Sequence, residues 1–345
     1  MRFSVFLPVR NGGNYLRQCV TSILEQTYPD FQLIVLDNAS SDGSAEWISS
    51  LNEPRVTLVN SATPLSIQDS WGRILRSPKG EFMTMIGHDD LLDKNYLETM
   101  CTLIGRHPDA SLYQTHFRLI DSGGKQLQPC RPMPERETAA GFLESRMLFQ
   151  RDSYGTGYMF RSSDYERVGG IPGYEKLLFA DDALWMKLML GSWKATAKEE
   201  CFSYRVHSES TSFAPESRSL YGGLDQYLVF LQEACSRDSN VADVAKRLLA
   251  TYLTTIYGWR YFPARRDLGE FNRVGEALSA QILQSAQMAN NVLRAANAMG
   301  TVDIPDVVRH KVLSSRAYYS WYLRGQLGKL NRKLVGLLTS KGGLS

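Results

Sequence analysis

Two pairs of adjacent aspartates carry the strongest chemical signal in the sequence, Asp89-Asp90 and Asp181-Asp182. The first ends Gly87-His88-Asp89-Asp90, directly after the apolar run Phe82–Ile86. Neighbouring carboxylates repel unless a cation or basic group lies beside them. A diphosphate also needs a hard divalent cation, and oxygen ligands suit Mg²⁺ or Mn²⁺, so one ion would serve both needs. The competing reading is a helix cap, Asp90 or Asp93 ahead of a helix starting near Lys94, and for Asp93 the cap is the better reading. The second pair lies in Phe179-Ala180-Asp181-Asp182-Ala183-Leu184-Trp185 and opens an amphipathic stretch. A carboxylate there can take the proton of an attacking hydroxyl while a metal stabilises the leaving diphosphate. First-turn acids also simply complement a helix dipole.

Two further constellations join them. In Leu36-Asp37-Asn38-Ala39-Ser40-Ser41-Asp42-Gly43-Ser44, Asp37 ends a strand, where it can accept from the N3–H of a uracil or thymine ring or from a ribose hydroxyl. Asp42 or Ser41 reads as the cap of the next helix, with Gly43 making the turn. In Tyr204-Arg205-Val206-His207-Ser208-Glu209-Ser210-Thr211-Ser212, a neutral His207 can complete a metal's coordination and Arg205 can hold a phosphate. A lone histidine is more often structural, so this site gains weight only in company.

The elements that must position these residues follow from hydrophobic periodicity. Phe3–Val9, Phe31–Leu36, Arg55–Val59 and Phe82–Ile86 read as strands; Tyr15–Gln26, Ser44–Leu51, Ile67–Arg76 and Lys94–Arg106 read as helices. Strands alternating with helices predict a mostly parallel sheet covered on both faces, with ligands at the carboxyl ends of its strands. Beyond these, Ser111–Leu119 reads as strand, Ala139–Phe149 as helix, Gly155–Phe160 as extended chain, Asp181–Leu190 as helix and Trp193–Val206 as strand. Strand patterns stop near Leu220. The division expected is an α/β domain over 1–215 and an all-helical region over 216–345, which packs on that domain or pairs with another copy.

The chain has 345 residues, 43% of them hydrophobic and 22% charged, a composition that folds and does not suggest disorder. A net charge of +3 gives no argument for nucleic acid. Five cysteines without CxxC spacing point to a reducing compartment. The apolar start Phe3–Val9 runs into Arg10-Asn11-Gly12-Gly13-Asn14, which reads as a buried first strand and not a signal peptide. No run approaches the roughly 20 apolar residues of a spanning helix. The expectation is a cytoplasmic protein that can sit on the cytoplasmic face of a membrane. Past Asp306 the chain carries the basic residues Arg309, Lys311, Arg316, Arg324, Lys329, Arg332, Lys333 and Lys341 and no acidic residue. Tyr319, Tyr322, Leu323, Leu327, Leu330, Leu334, Leu337 and Leu338 recur among them mostly at helical steps, so a helix over Ser315–Leu338 is expected to face an anionic membrane.

Taken together, Val5-Phe6-Leu7-Pro8-Val9-Arg10-Asn11, Ser22-Ile23-Leu24-Glu25-Gln26-Thr27-Tyr28, the Asp37 segment, Gly80-Glu81-Phe82 before the first aspartate pair, Gly169-Gly170, Asp181-Asp182 and His207 resemble family 2 glycosyltransferases of the GT-A fold, in order and spacing, over Arg2–Ser212. The resemblance implies a GT-A-type sheet and an inverting transfer of one sugar from a UDP- or dTDP-sugar to a sugar or lipid-linked acceptor, in bacterial-type surface polysaccharide or glycolipid assembly. It implies that Pro8, Arg10 and Asp37 border the nucleoside and that Asp89 lies near the ribose and diphosphate. Asp90 would bind Mn²⁺ or Mg²⁺ with His207 as a further ligand or a phosphate contact, and Asp182 would be the catalytic base, with Asp181 where the family usually has Glu. Asn38 stands where the family often has Asp, and Gly87 where a fuller metal motif has an acid. No Gln-x-x-Arg-Trp follows Asp182, which argues against processive synthesis.

The main alternative is a nucleotide-sugar-binding protein of the same fold without activity; retention of Asp89-Asp90 and Asp182 speaks against it. A dinucleotide-dependent oxidoreductase fits less well still, because Arg10-Asn11-Gly12-Gly13-Asn14 is not the GxGxxG that a pyrophosphate requires after the first strand.

Overall fold

The computed structural model describes residues 1–207, 217–267, 273–297 and 303–340, with side chains at 217, 218, 264, 267, 273–275 and 328–340 outside the description. Residues 208–216, which span the expected domain boundary and include Ser208–Ser212, also lie outside the described residues.

The first strand, β1 (Phe3–Val9), is buried along its whole length, as an apolar strand covered on both faces must be. It is followed by α1 (Gly13–Leu24), which turns Leu16, Cys19, Val20 and Ile23 inward at helical spacing. Next come β2 (Phe31–Asp37), α2 (Ser44–Ser50), β3 (Val56–Asn60), α3 (Ile67–Gly72) with a 3₁₀ turn at Arg73–Arg76, β4 (Phe82–Met85), β5 (Leu91–Leu92) and α4 (Tyr96–Arg106). The chain continues through β6 (Leu112–Ile120), β7 (Gln126–Pro129), β8 (Arg136–Glu137), α5 (Ala139–Met147), β9 (Tyr158–Arg161), α6 (Ser162–Arg167), a 3₁₀ turn at Glu175–Leu177, α7 (Ala180–Met189) and β10 (Lys194–Arg205).

The ten strands form one mixed sheet, in the order β3-β2-β1-β4-β9-β6-β10-β5, with β7 beside β6 and β8 beside β10. From β3 to β4 every pairing is parallel. The short β9 then runs antiparallel to both β4 and β6, and β10 is parallel to β6. Val9 pairs with Asp37 and Asp37 with Asn60, so the turns leaving β1 and β2 emerge at one edge. The turn after β4 joins them, because β1 and β4 are parallel neighbours.

One face of the sheet packs on α1 and α4 through Val5, Leu33, Leu16, Ile23, Leu97 and Leu103. The other face packs on α5 and α7 and is continuous with the helical region α8 (Ser217–Arg237), α9 (Ser239–Asp267), α10 (Arg273–Ala295) and α11 (Ile304–Val308). Phe6, Ile34 and Met83 thus share an apolar core with Trp185, Leu231, Leu253, Ile282 and Val308. The helical region therefore packs on the sheet region. The last helix, α12 (Ser315–Ser340), rests Tyr318 and Trp321 against that core while Tyr319, Tyr322, Leu323 and Leu327 are exposed. Leu330, Leu334, Leu337 and Leu338, like Lys329, Arg332, Lys333 and Lys341, have side chains outside the described residues. Among the described residues no helix is long and apolar enough to cross a membrane.

Candidate active site

The turns leaving β1, β2 and β4 enclose a cavity of about 620 Å³ whose lining includes Pro8, Arg10, Asn38, Trp71, His88, Asp89 and His207. Side chains lace the first two turns together. Asn11 N donates to Ser40 Oγ at 2.9 Å, and Asn11 Oδ1 accepts from Ser41 N at 2.8 Å. Gly43 holds the cap position of α2, and Asp42 stands one residue before it, accepting from Ser44 N at 3.1 Å and also from Gly13 N at 2.9 Å, so one acid serves the starts of α1 and α2. Arg10 is exposed at the cavity rim.

Asp37 lies under this cavity, not on its lining. It is 3% exposed, and its Oδ2 accepts from Ser40 N at 3.2 Å. Its Oδ1 is buried with no hydrogen-bond partner among the described residues. Such a lone acceptor suits a donor brought by a ligand. Asn38, which does reach the lining, has its amide committed: Oδ1 accepts from Leu65 N at 2.7 Å and Nδ2 donates to Leu65 O at 3.0 Å.

The first aspartate pair divides its tasks. Asp89 borders the cavity, and its Oδ2 stands 2.8 Å from His207 Nε2. Asp90 is 1% exposed; its Oδ1 accepts from Arg205 N at 3.0 Å and its Oδ2 from Thr156 Oγ1 at 2.9 Å. Burial, then repulsion from Asp89, pushes the Asp90 carboxyl well above the usual carboxylate range. The carboxylate that His207 touches is that of Asp89. Among the described residues no group of three His, Cys, Asp or Glu side chains is gathered as a ready metal cluster. The pair nevertheless fits a divalent cation at Gly87. A Cβ there would lie 2.7 Å from Asp89 Oδ1 and 3.3 Å from Asp90 Oδ2, so both oxygens converge on space that only glycine leaves open. Oxygen donors beside one imidazole suit Mn²⁺ or Mg²⁺.

Arg205 is not available to a phosphate. Its guanidinium is buried, donating to Asp89 O at 2.7 Å, Ser122 O at 3.1 Å and Gln18 Oε1 at 2.9 Å, and it lies over the Tyr15 ring. It ties the turn after β4 to α1 and to the turn after β6. Asp93 is likewise not a cap: both its oxygens accept from Arg118, while Asn95 holds the cap position of α4.

A second cavity of about 200 Å³ adjoins the first through Ile67, Trp71, Gly87 and Asp89, and it also reaches Asp90, Thr156 and Asp181. The second aspartate pair is split across its wall. Asp181 lines the cavity, and burial followed by the charge of Asp182 pushes its pKa up to about 7. Asp182 is 2% exposed behind it, its Oδ2 held by Arg146 Nε and Nη2 at 2.8 Å each and its Oδ1 without a partner among the described residues. Arg146 is anchored in turn on Arg151 O at 2.8 Å, and Arg151 forms a buried ion cluster with Glu137, which Lys194 joins at 2.8 Å. Sequence reasoning missed Arg146, Thr156 and Trp71. None sits in a motif, and the aspartates that Arg146 and Thr156 hold lie 36 and 66 residues away.

The α/β sheet, with a cavity at its parallel strand ends, two aspartates and a histidine at one end and a carboxylate of raised pKa in the adjoining space, is of GT-A type. Residues 4–165 match Glycosyl transferase family 2. It is similar to the putative glycosyltransferase EpsE of Bacillus subtilis, 24% identical over 275 residues that make up 76% of this chain and 94% of EpsE. It is also similar to the putative teichuronic acid biosynthesis glycosyltransferase TuaG of the same organism, 23% identical over 61% of this chain and 81% of TuaG. Some other curated relatives are matched over a third of their length or less. The fold is shared with TarS of S. aureus, solved with UDP-GlcNAc, at a TM-score of 0.69 and 17% identity over 94% of this chain and 92% of that one.

Proposed function

We propose that the chain transfers a single sugar from a nucleotide-diphosphate sugar to an acceptor hydroxyl, with inversion, in the assembly of a cell-surface polysaccharide or glycolipid. The observation that carries this reading is the continuity of the two cavities, with the Asp89-Asp90 carboxylates where they meet and Asp181 in the smaller one. The nucleoside of a UDP- or dTDP-sugar occupies the larger cavity between Pro8, Arg10 and the buried Asp37, whose unpartnered oxygen takes a donor from the base or ribose. Asp89, Asp90 and His207 would hold Mn²⁺ or Mg²⁺ near the diphosphate. When bound, that ion supplies charge neutralisation of the leaving group.

Asp181 accepts the proton of the incoming hydroxyl. It faces the cavity, and a pKa near 7 matches a base working at neutral pH. Asp182, the base by resemblance, acts from behind: its charge raises the pKa of Asp181, and Arg146 fixes its orientation. The kinship with TuaG and the likeness to TarS support a surface polymer as the product's destination and a uridine nucleotide as donor.

The test is a panel of UDP- and dTDP-sugars incubated with the full chain and Mn²⁺ or Mg²⁺, with nucleoside diphosphate release as the readout. Slow release with water as acceptor is expected for one donor. Tight binding of that donor without any release, with or without added acceptors, would leave a non-catalytic nucleotide-sugar-binding protein. We also infer that α12 lies on an anionic membrane on the cytoplasmic face, which would bring a lipid-linked acceptor to the site; its exposed Tyr319, Tyr322, Leu323 and Leu327 support this.

A further inference from the structure

The wall of the smaller cavity opposite the first aspartate pair is built from an unusual backbone. Lys176, Leu177 and Phe179 have φ values of 51°, 57° and 62°. Non-glycine residues hold the left-handed region only where their surroundings impose it, and such residues gather at functional sites. All three line the 200 Å³ cavity.

What imposes the conformation is α8 of the helical region. Glu175 N donates to Gln226 Oε1 at 2.8 Å, Ser219 Oγ donates to Glu175 Oε1 at 2.9 Å, and the Phe179 ring stacks on Tyr227 at 5.7 Å. The approach is close enough to require glycine on the helix. A Cβ at Gly223 would lie 2.8 Å from Leu178 O and 2.9 Å from Leu178 Cβ, and one at Gly222 would meet Glu175 Oε2. Glycine inside a helix is unfavourable relative to alanine, so a Gly-Gly pair there points to what it touches.

We propose that this braced segment selects the sugar ring carried by the donor, and that the helical region thereby sets donor specificity. The inference rests on the donor reading given above. The smaller cavity begins at Asp89, where the diphosphate would end, and reaches Asp181, so its occupant is the group bonded to the diphosphate. At about 200 Å³ it is smaller than the roughly 300–1,000 Å³ of pockets that take drug-sized ligands, a size for one ring and not a chain. Trp71, Leu177, Phe179 and Tyr204 line it with apolar surface suited to the C–H face of a pyranose, and Thr156 and Lys176 also line it. A shift of the Leu178 carbonyl would move Leu177 and Phe179 together, on either side of it.

The experiment compares wild-type full chain with Gly223→Ala, Gly222→Ala and Leu177→Gly, by titrating UDP, dTDP and their glucose, galactose and N-acetylglucosamine derivatives with Mn²⁺ present. The nucleoside diphosphate alone should bind all four proteins with similar affinity. Gly223→Ala should change the ratio of sugar-nucleotide to nucleotide affinity by about tenfold, because a backbone carbonyl has to move. Gly222→Ala, which is an equal change in the helix, should change it little, because it meets the mobile end of Glu175. Leu177→Gly relieves the strain, keeps α8 intact and should flatten discrimination among the three sugars. Unchanged ratios in both Gly223→Ala and Leu177→Gly overturn the proposal, as does a wild type that binds the sugar-nucleotides no differently from the nucleotide. Failure of the wild type to bind any uridine or thymidine nucleotide would instead sink the donor reading itself.

Discussion

The sheet region and the helical region bury their polar groups in opposite ways. In the sheet region Asp37, Asp90, Glu137, Arg151, Asp182, Lys194 and Arg205 are all buried. In the helical region, tyrosine hydroxyls aside, the buried polar side chains among the described residues are Ser219 and Ser285. Burying an ionisable side chain costs several kcal/mol if it stays charged, which a partner at best roughly offsets, so a region that buries seven ionisable side chains is not arranged for stability alone. The helical core carries Leu231, Leu253, Ile282 and Val292 instead, and adds apolar burial to the sheet face it covers. One region holds charge in place and the other supplies packing.

Substitution on each side of that division sharpens it. Glu137→Ala leaves Arg151 and Lys194 buried without their shared carboxylate, and a broken buried pair costs about 3–5 kcal/mol. Equilibrium denaturation should show that loss. Ile282→Ala empties space in the helical core and should cost about 2–5 kcal/mol by the same measurement, with nucleotide affinity at the strand ends unchanged in protein that remains folded. If Ile282→Ala weakened UDP binding as much as it weakened the fold, the division between the regions would not hold.

At the site the effect is on rate. Asp181→Asn should lower turnover by about a hundredfold, with donor affinity intact, as loss of a general base does. A base works deprotonated, so with its pKa near 7 the wild-type rate should climb as pH rises through about 7 and level off above it. Asp182→Asn removes the negative neighbour and leaves Arg146 nearby, so the limb should move to lower pH. A hundredfold loss in Asp182→Asn with no such shift, and a mild effect in Asp181→Asn, would return the base to Asp182.

Residues read from runs and motifs were found where local pattern decides the structure. Phe3–Val9 reads as a strand from its apolar run alone, and Asp89 stands at a strand end because Phe82–Met85 does. The pairing of β9 between β4 and β6, antiparallel to both, is not legible, because four residues of Tyr158–Arg161 carry no signal for direction. The two-residue strands β5 and β8 are too short for any period to show. At the site, side-chain roles depended on long-range partners. Asp93 looks like a cap until Arg118 folds over it, and Arg205 looks like a phosphate ligand until β10 carries it under the turn after β4. The carboxylate that faces the cavity within Asp181-Asp182 is decided by Arg146, which approaches from α5.

The smallest effect expected concerns α12, where the two regions' shared core ends. Val308 and Val312 just before it are buried, and Tyr318 and Trp321 lie against Phe262, so the start of the helix is part of the packed structure. The neighbouring stripe is bare: Tyr319, Leu323 and Leu327 are 61%, 59% and 63% exposed. Basic residues from Arg309 to Lys341 have no acid among them. A protein partner covering that stripe would crowd like charges, whereas an anionic lipid surface neutralises them and takes up the aromatic side chains at its interface. Removal of residues 323–345 keeps Val308, Val312, Tyr318 and Trp321 and so spares the core. Full chain and truncated chain are to be spun with vesicles of phosphatidylcholine, with and without phosphatidylserine, at low and at high salt. The full chain should partition at least about tenfold more strongly onto the anionic vesicles at low salt, and the advantage should shrink as screening rises. Equal partitioning of the two chains would assign the stripe to a protein contact, and a concentration-dependent dimer lost on truncation would identify that contact as a second copy.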